Sequence, residues 1–169
     1  MTDEYEAFVR ARTPALLRSA YLLTGDQHLA EDLVQEALAR THRAWRRLHE
    51  VGNAEAYARK VMYHAQLSQW RRLRVREFYP PQLPERGAGD HAESVSVRIS
   101  LERALGTLSP RQRAVVVLRY FEDRTETETA DLLGMALGTV KTQAARALER
   151  LRGFAPELSE LLTTTGVTR

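Results

Sequence analysis

The sequence has 169 residues, of which 43% are hydrophobic and 28% are charged, and its formal net charge is +3. This length suits one domain or two small ones, and so small a positive excess does not by itself establish nucleic-acid binding. The absence of cysteine excludes a disulfide framework and a cysteine-based zinc site. No apolar run approaches the roughly 20 residues that span a bilayer, and the charged first residues lack a signal-peptide core. We therefore expect a cytoplasmic protein without membrane insertion.

The first part of the chain predicts short helices followed by one long helix. Residues 4–12 should form the first helix. Thr13 followed by Pro14 has the pattern of a helix cap followed by proline at the first helical position, so a second helix should begin there. Gly25 should end it, and Asp26 should cap a long helix over residues 27–48. Apolar residues at helical spacing predict its buried stripe, which comprises Leu29, Leu33, Val34, Ala37, Leu38, Thr41, Ala44 and Trp45.

The polar face of that long helix is mainly acidic. It carries Glu31, Asp32, Gln35, Glu36 and Arg40. An exposed helix face of mixed charge suits a polar docking surface for another protein. The alternative is an ordinary solvated face.

The next predicted helix, over residues 54–76 with Asn53 as its cap, is strongly basic. Between Ala56 and Arg76 it has no acidic residue, and its cations are Arg59, Lys60, Arg71, Arg72, Arg74 and Arg76. The aromatic residues interleaved with them are Tyr57, Tyr63 and Trp70. Cations neutralise phosphates and aromatic rings stack on unpaired bases, so the helix is a candidate nucleic-acid contact. The alternative is that the aromatics lie in the core and the cations lie in water.

The composition of residues 78–96 predicts a flexible linker between two small helical domains. The segment has few large apolar residues and contains Pro80, Pro81, Pro84, Gly87 and Gly89. Proline and glycine in this density interrupt regular structure. The second domain should begin near Val97, with a further helix start at Ser109 and Pro110.

Residues 125–152 have the pattern of a helix-turn-helix. Thr125 and Glu128 have capping-box spacing, and Gly134 should end the first short helix. A second helix over residues 137–152 has its apolar side at Val140, Ala144, Ala147, Leu148 and Leu151. Its polar residues lie largely on other faces, and the second helix of this motif enters the DNA major groove. The alternative is a plain helical hairpin with a solvated basic face.

A short helix at about residues 157–162 and a polar tail complete an all-α fold. No strand-like alternation is present. The sequence also contains five histidines, but no HExxH pattern or glycine-rich phosphate loop accompanies them. We therefore expect neither an enzyme nor a bound metal or cofactor.

With these elements placed, the chain resembles bacterial sigma factors of the extracytoplasmic-function group, and most closely their SigE-like actinobacterial branch. The matching stretches are residues 20–45, 56–72 and 104–152. The resemblance implies a first domain over residues 1–77, a linker over 78–96, a second domain over 97–153 and a tail over 154–169. It also implies binding to core RNA polymerase, through the beta-prime clamp and the beta flap, and to promoter DNA.

For the first domain, the resemblance implies docking on the polymerase clamp and capture of the minus-ten element. The polymerase contacts would be Asp32, Gln35, Glu36 and Arg40. The loop over residues 46–53 would take up a flipped base of the non-template strand. The minus-ten contacts would be Leu48, His49, Asn53, Arg59, Lys60, Tyr63, Arg71 and Arg72. His64 and Ser68 stand where family members often have Asn and Asp, so the resemblance does not define the exact minus-ten contacts at these positions.

For the second domain, the resemblance implies recognition of the minus-thirty-five element. The candidate contacts are Lys141, Thr142, Gln143, Arg146 and Arg150. Gln143 could pair with an adenine edge, and Lys141 or Arg146 with guanine. Ala136 stands where many relatives have Ser, and Gln143 stands where many have Arg, which indicates an altered DNA preference.

The main alternative function is a stand-alone helix-turn-helix transcriptional regulator. It leaves the acidic and basic helices of the first domain without a role. Members of the extracytoplasmic-function group are commonly held by an anti-sigma factor, which makes such a protein a candidate partner, although no residue of the sequence indicates one.

Overall fold

The structure, a computed structural model, describes residues 2–49, 53–76 and 100–166, and the regular elements in those ranges are all helical. The all-α prediction is confirmed for this part of the chain. The N-terminal group consists of α1 (Thr2–Thr24), α2 (Gln27–Arg43), α3 (Trp45–His49) and α4 (Ala54–Arg76). The C-terminal group consists of α5 (described over 100–106), α6 (Pro110–Val116), a π-helical turn (Val117–Phe121), α7 (Glu126–Leu133), α8 (Leu137–Phe154) and α9 (Pro156–Gly166). The predicted linker and the start of the helix after it lie outside the described residues.

The predicted break at Thr13 and Pro14 is wrong, because α1 runs through Pro14 as one helix. Thr13 caps nothing; its hydroxyl donates a hydrogen bond of 2.7 Å to the carbonyl of Val9. A proline inside a helix loses one backbone hydrogen bond. Packing on both sides of it offsets that loss, since Phe8 contacts the ring of Trp45 and Leu16 lies in the main core.

Helix α2 begins as predicted, but it ends earlier than predicted. Its buried side also begins one residue later than predicted. Gly25 has a φ of 69°, and the Asp26 carboxylate accepts a hydrogen bond of 3.0 Å from the Leu29 amide. The helix ends at Arg43, and residues 45–49 form the separate helix α3. Leu29 is 50% exposed, whereas Ala30 is 2% exposed. The buried stripe therefore begins at Ala30 and not at Leu29.

The caps of the C-terminal group are confirmed. Ser109 and Gln112 form a capping box at α6, and Thr125 and Glu128 form another at α7. Gly134 ends α7 with a φ of 63°, in the left-handed region that glycine adopts without strain. Helix α8 continues past the predicted end to Phe154. The π-helical turn after α6 was not indicated by the sequence.

The N-terminal and C-terminal groups share one hydrophobic core. Its N-terminal members include Leu16, Leu33 and Met62, and its C-terminal members include Val115, Leu118, Ala130, Leu133 and Val140. A second cluster lies between α5, α6, α8 and α9, and a third surrounds Trp45. None of the helices in the described ranges is long and apolar enough to cross a membrane.

The N-terminus of α8 lacks a side-chain cap, and we expect that serine at Ala136 would supply one. Ala136 is the N-cap residue in an extended conformation, and no side chain bonds the free amides of the first turn. Ala136→Ser should stabilise the protein by about 1 kcal/mol, which raises the Tm by roughly 2–4 °C for a chain of this size. Thermal unfolding followed by circular dichroism measures this.

The matched control is Ala145→Ser, because Ala145 is exposed in the interior of the same helix. Serine has no capping role there and a lower helix propensity than alanine. The control should show no gain in Tm. An equal rise in both variants would contradict the capping explanation.

Candidate nucleic-acid and protein interfaces

The helix-turn-helix consists of α7, the turn at residues 134–136, and α8. Glycine in the turn permits the left-handed conformation that redirects the chain. Four apolar residues seat α8 on the rest of the C-terminal group: Val140, Ala144, Ala147 and Leu151. Because these residues recur at helical spacing, the opposite side of α8 faces solvent.

The side chains predicted for the minus-thirty-five element lie on the solvent side of α8. Lys141, Thr142, Arg146 and Arg150 are exposed, and Gln143 is half-buried. Lys141 lies 3.7 Å from the Glu126 carboxylate, and the Thr142 hydroxyl donates 2.9 Å to the Gly138 carbonyl. An ion pair so exposed and so long holds Lys141 only weakly. This face is therefore free to contact DNA.

The side chains predicted for polymerase docking form one surface of α2. Asp32, Gln35 and Arg40 are exposed, and Glu36 is half-buried. The Arg40 guanidinium donates to the Glu36 carboxylate at 2.6 Å, one helical turn away. The ion pair joins two of the four side chains, while Asp32 and Gln35 are exposed on the same helix.

An open cavity of about 540 Å³ lies where α2 meets α3. Its basic lining consists of Arg40, His42, Arg43, Arg46 and Arg47, and its aromatic lining consists of Tyr5, Trp45 and Tyr57. A cavity with cationic rims and aromatic walls is suited to a phosphate-linked base.

The predicted minus-ten residues near this cavity lie in different environments. Leu48 is buried against Trp45 and Ala54, so its side chain does not reach solvent in this structure. Asn53 is exposed at the start of α4. The backbone of His49 ends α3, and its side chain lies outside the described part. A base entering the cavity would therefore meet Arg46 and Arg47 before Leu48.

Some of the cations of α4 are exposed, in both halves of the helix. Lys60, Arg71 and Arg72 are exposed, and the Trp70 side chain is 41% exposed. Arg71 donates a long hydrogen bond of 3.5 Å to the Ser68 hydroxyl. These cations are available to phosphates.

Arg59 and Tyr63 are instead buried against the C-terminal group. The Glu122 carboxylate accepts one hydrogen bond from Arg59 Nε at 2.5 Å and another from the Tyr63 hydroxyl at 2.7 Å. Arg59 also donates to Glu55 on its own helix. In this arrangement neither Arg59 nor Tyr63 is accessible to a nucleic acid.

The ionisation of these groups follows from burial and charge. Burial, reinforced by the charge of Glu122 and the hydrogen bond to it, raises the pKa of Tyr63 well above its ordinary value, so the hydroxyl keeps its proton and donates it. Burial of Arg59 opposes its charge, but the contacts with Glu55 and Glu122 outweigh this and raise the pKa of Arg59. The Arg59 guanidinium and the Tyr63 hydroxyl therefore both keep their protons and donate them to Glu122.

Further hydrogen bonds join the groups, and one of them runs from the Tyr21 hydroxyl of α1 to the Glu102 carboxylate of α5 at 2.6 Å. Arg113 Nε of α6 donates 2.5 Å to the Leu22 carbonyl at the C-terminal end of α1, where a cation also complements the helix dipole. Burial lowers the pKa of Arg113 to about 10, against the opposing charges of Glu102 and Tyr21, so it remains charged at neutral pH. His64 Nε2 lies 2.9 Å from the Leu132 carbonyl of α7.

Comparison with known proteins identifies the family. Residues 8–76 match the family model for Sigma-70 region 2, and residues 98–151 match that for Sigma-70, region 4. The chain is 45% identical over 149 residues to the RNA polymerase sigma-E factor of Streptomyces coelicolor, covering 88% of this chain and 84% of the relative. The chain belongs to the sigma-70 family of RNA polymerase sigma factors. Within it, the chain is an extracytoplasmic-function sigma factor of the SigE-like kind.

A further relative and a solved structure agree with this family assignment. The chain is 33% identical over 162 residues to the ECF RNA polymerase sigma factor SigL of Mycobacterium tuberculosis, covering 91% of this chain and 86% of that protein. A co-crystal structure of the sigma factor RpoE with the anti-sigma factor NepR from Bartonella quintana shares the fold. It matches with a TM-score of 0.69 at 22% identity, over 91% of this chain and 98% of that chain.

Sequence reasoning missed two features of this sigma factor. The first is the cationic lining of the cavity, since the guanidinium groups of Arg43, Arg46 and Arg47 were not singled out. Three arginines within five residues, one just before the predicted base-binding loop and two at its start, were a usable signal. The second is Glu122, which pairs with residues about 60 positions earlier in the chain. No local pattern indicates so distant a partner.

Proposed function

We propose that this chain is a promoter-specific transcription initiation factor that binds core RNA polymerase and directs it to promoters. The proposal rests on the occurrence of Sigma-70 regions 2 and 4 in that order in one chain. The candidate contact residues on α2 and on α8 are also largely exposed to solvent. Two separate recognition surfaces suit a protein that joins an enzyme to DNA. A stand-alone regulator would need only the second.

The proposed polymerase contacts are Asp32, Gln35, Glu36 and Arg40 on α2. Support comes from the exposure of Asp32, Gln35 and Arg40 and from the ion pair that joins Arg40 to the half-buried Glu36. We place their partner on the beta-prime clamp and a second contact of the C-terminal domain on the beta flap. A polar surface of this kind contributes specificity and association rate.

The proposed minus-ten contacts are the exposed side chains of Asn53, Lys60, Arg71 and Arg72, together with His49 and the cationic cavity. The cavity would hold a flipped base, whose unstacking costs a few kcal/mol that stacking and hydrogen bonding offset. Arg59 and Tyr63 can join them only when the C-terminal group moves away. Leu48 would support the cavity wall from the core.

The proposed minus-thirty-five contacts are Lys141, Thr142, Gln143, Arg146 and Arg150 on α8. Phosphate contacts would set the register of the helix, and base-edge contacts would specify the sequence. Arg146 is exposed between the other two candidates of its side, with Gln143 one turn before it and Arg150 one turn after it. It is therefore the side chain best placed to reach a base.

The domain boundaries that we propose are residues 1–77 and 97–153, with a linker at 78–96 and a tail at 154–169. The protein would act in the cytoplasm, where polymerase and promoters are, and as an initiation factor rather than an enzyme. An anti-sigma factor is a further candidate partner, as for the Bartonella quintana protein solved with one.

Co-elution with core RNA polymerase tests this function. We expect the purified protein to elute with core polymerase in size-exclusion chromatography and to bind promoter duplex only in that complex. The discriminating sample is the protein with the duplex alone. Tight, sequence-specific binding of the duplex without polymerase, combined with no co-elution, would support the stand-alone regulator instead.

A further inference from the structure

The contact between the two helical groups contains a polar centre as well as an apolar core. Glu122 belongs to the C-terminal group, and its carboxylate is almost fully buried. Both of its oxygens accept hydrogen bonds from α4 of the N-terminal group, one from Arg59 and one from Tyr63. A buried carboxylate that pairs with a cation and a phenol on another group of helices is costly to leave unpaired.

The local backbone places Glu122 where it can reach α4. The π-helical turn inserts extra backbone after α6, and Glu122 ends it with its amide bonded to the Val117 carbonyl. The next residue, Asp123, has a φ of 53°, in the left-handed region. Turns of the π type are rare and recur at functional sites. Here the turn directs one acidic side chain into the contact between the two groups.

The contact covers one candidate DNA surface and leaves the others open. Arg59 and Tyr63, in the first half of α4, are buried by it. The α2 face and the α8 face remain exposed, as do Arg71 and Arg72. The contact therefore blocks α4 selectively.

The packed arrangement is also too short to span a promoter. Elements centred about 25 base pairs apart are separated by roughly 85 Å of DNA at 3.4 Å per base pair, whereas a packed chain of this length is roughly 40 Å across. A fully extended linker over residues 78–96 adds a reach of roughly 65 Å. The two groups must separate before they can contact both elements.

We propose that Glu122 latches the two helical groups in a closed state by occupying Arg59 and Tyr63, and that opening exchanges this carboxylate for nucleic-acid phosphate. The closed state follows from the observed contacts between the two helical groups. The exchange of the carboxylate for phosphate rests on the proposed function. The hydrogen bonds from Arg113 to Leu22, between His64 and Leu132, and from Tyr21 to Glu102 also join the two groups.

Glu122→Gln tests the latch because it keeps the size of the side chain and removes its charge. The matched control is Glu149→Gln, which makes the same charge change at an exposed position of α8. Since the chain has no cysteine, Arg18→Cys and Glu160→Cys, both exposed, provide one label on each group in the full-length protein. Double electron–electron resonance then measures the ratio of long to short label separations.

The comparison is made over rising urea concentrations that leave the helical circular dichroism unchanged. At the concentration where the unsubstituted protein is half open, Glu122→Gln should raise the open-to-closed ratio about tenfold or more, because a charged hydrogen bond to a buried group is lost. Glu149→Gln should leave the ratio unchanged. Equal open-to-closed ratios in the two variants would overturn the latch. It would also be overturned if the short label separation disappeared only at urea concentrations that unfold the helices.

His64→Ala is a second, milder test in case Glu122→Gln fails to fold. His64 is exposed, so its removal should spare the fold while removing one hydrogen bond between the groups. The open-to-closed ratio should rise several-fold, and no rise would count against the latch.

The exchange with phosphate is tested separately with a short fluorescein-labelled single strand of DNA. If only the open state binds it through α4, the apparent Kd should fall by the same factor as the open fraction rises. In the absence of urea, where the open fraction is small and follows the open-to-closed ratio, Glu122→Gln should bind about tenfold more tightly than Glu149→Gln. Opening without a change in Kd would overturn the exchange. Failure of the proposed function would instead appear as absent polymerase binding, with the label separations unaffected.

Discussion

Replacing Arg146 with alanine should lower transcription from a promoter that depends on its minus-thirty-five element by roughly 5- to 150-fold, the effect of losing one specific base contact worth about 1–3 kcal/mol. Arg146 is exposed on α8, and it is not among the buried residues that seat this helix. The fold should therefore be unchanged. Run-off transcription with core polymerase and the variant measures the loss.

The control for Arg146→Ala is Arg152→Ala. Arg152 is exposed on the same helix and carries the same charge, but it lies outside the proposed reading face. A promoter with an altered minus-thirty-five element provides a second comparison, on which Arg146→Ala should have little effect. Equal losses for both arginine variants would show that general charge, and not a specific contact, is responsible.

Replacing both Asp32 and Glu36 with lysine reverses two charges on α2. The double variant should bind core polymerase roughly 100-fold more weakly, because like charges brought together at an interface cost several kcal/mol. Asp32 is exposed, and the Glu36–Arg40 pair contributes only about 0.3–0.5 kcal/mol to the helix, so the fold should survive. Fluorescence anisotropy with labelled protein and core polymerase measures the affinity.

The double reversal needs a control of equal charge. Glu6→Lys with Glu160→Lys makes the same change at two exposed positions outside both proposed surfaces. This control should bind core polymerase with near-normal affinity. Normal binding by the Asp32 and Glu36 variant would indicate that the α2 face is only a solvated surface.

Features set by local sequence were predicted well. Asp26, Ser109 and Thr125 each act within one helical turn, and their capping bonds follow from residue type and spacing. The apolar side of α8 follows in the same way from helical period. The failure at Pro14 has the opposite cause, because packing of Phe8 and Leu16 outweighs the local cost of a proline.

Features set by contacts between distant residues could not be predicted. The shared core and the Glu122 pair depend on how the C-terminal group lies against α4, and that arrangement has no local signal. The sequence correctly marked α4 as basic and aromatic, and it left open whether Tyr63 lies in the core. The structure buries Tyr63 completely, so its predicted contact with DNA applies only to an open state.

The most direct measurement is in vitro transcription with purified core RNA polymerase and a pool of promoter fragments, with and without this protein. The account predicts specific transcripts that appear only when the protein is present, with start sites that align to reveal two upstream elements. Arg146→Ala should reduce those transcripts, and the Arg152→Ala control should not. No protein-dependent transcript, together with no binding to core polymerase, would contradict the sigma-factor function.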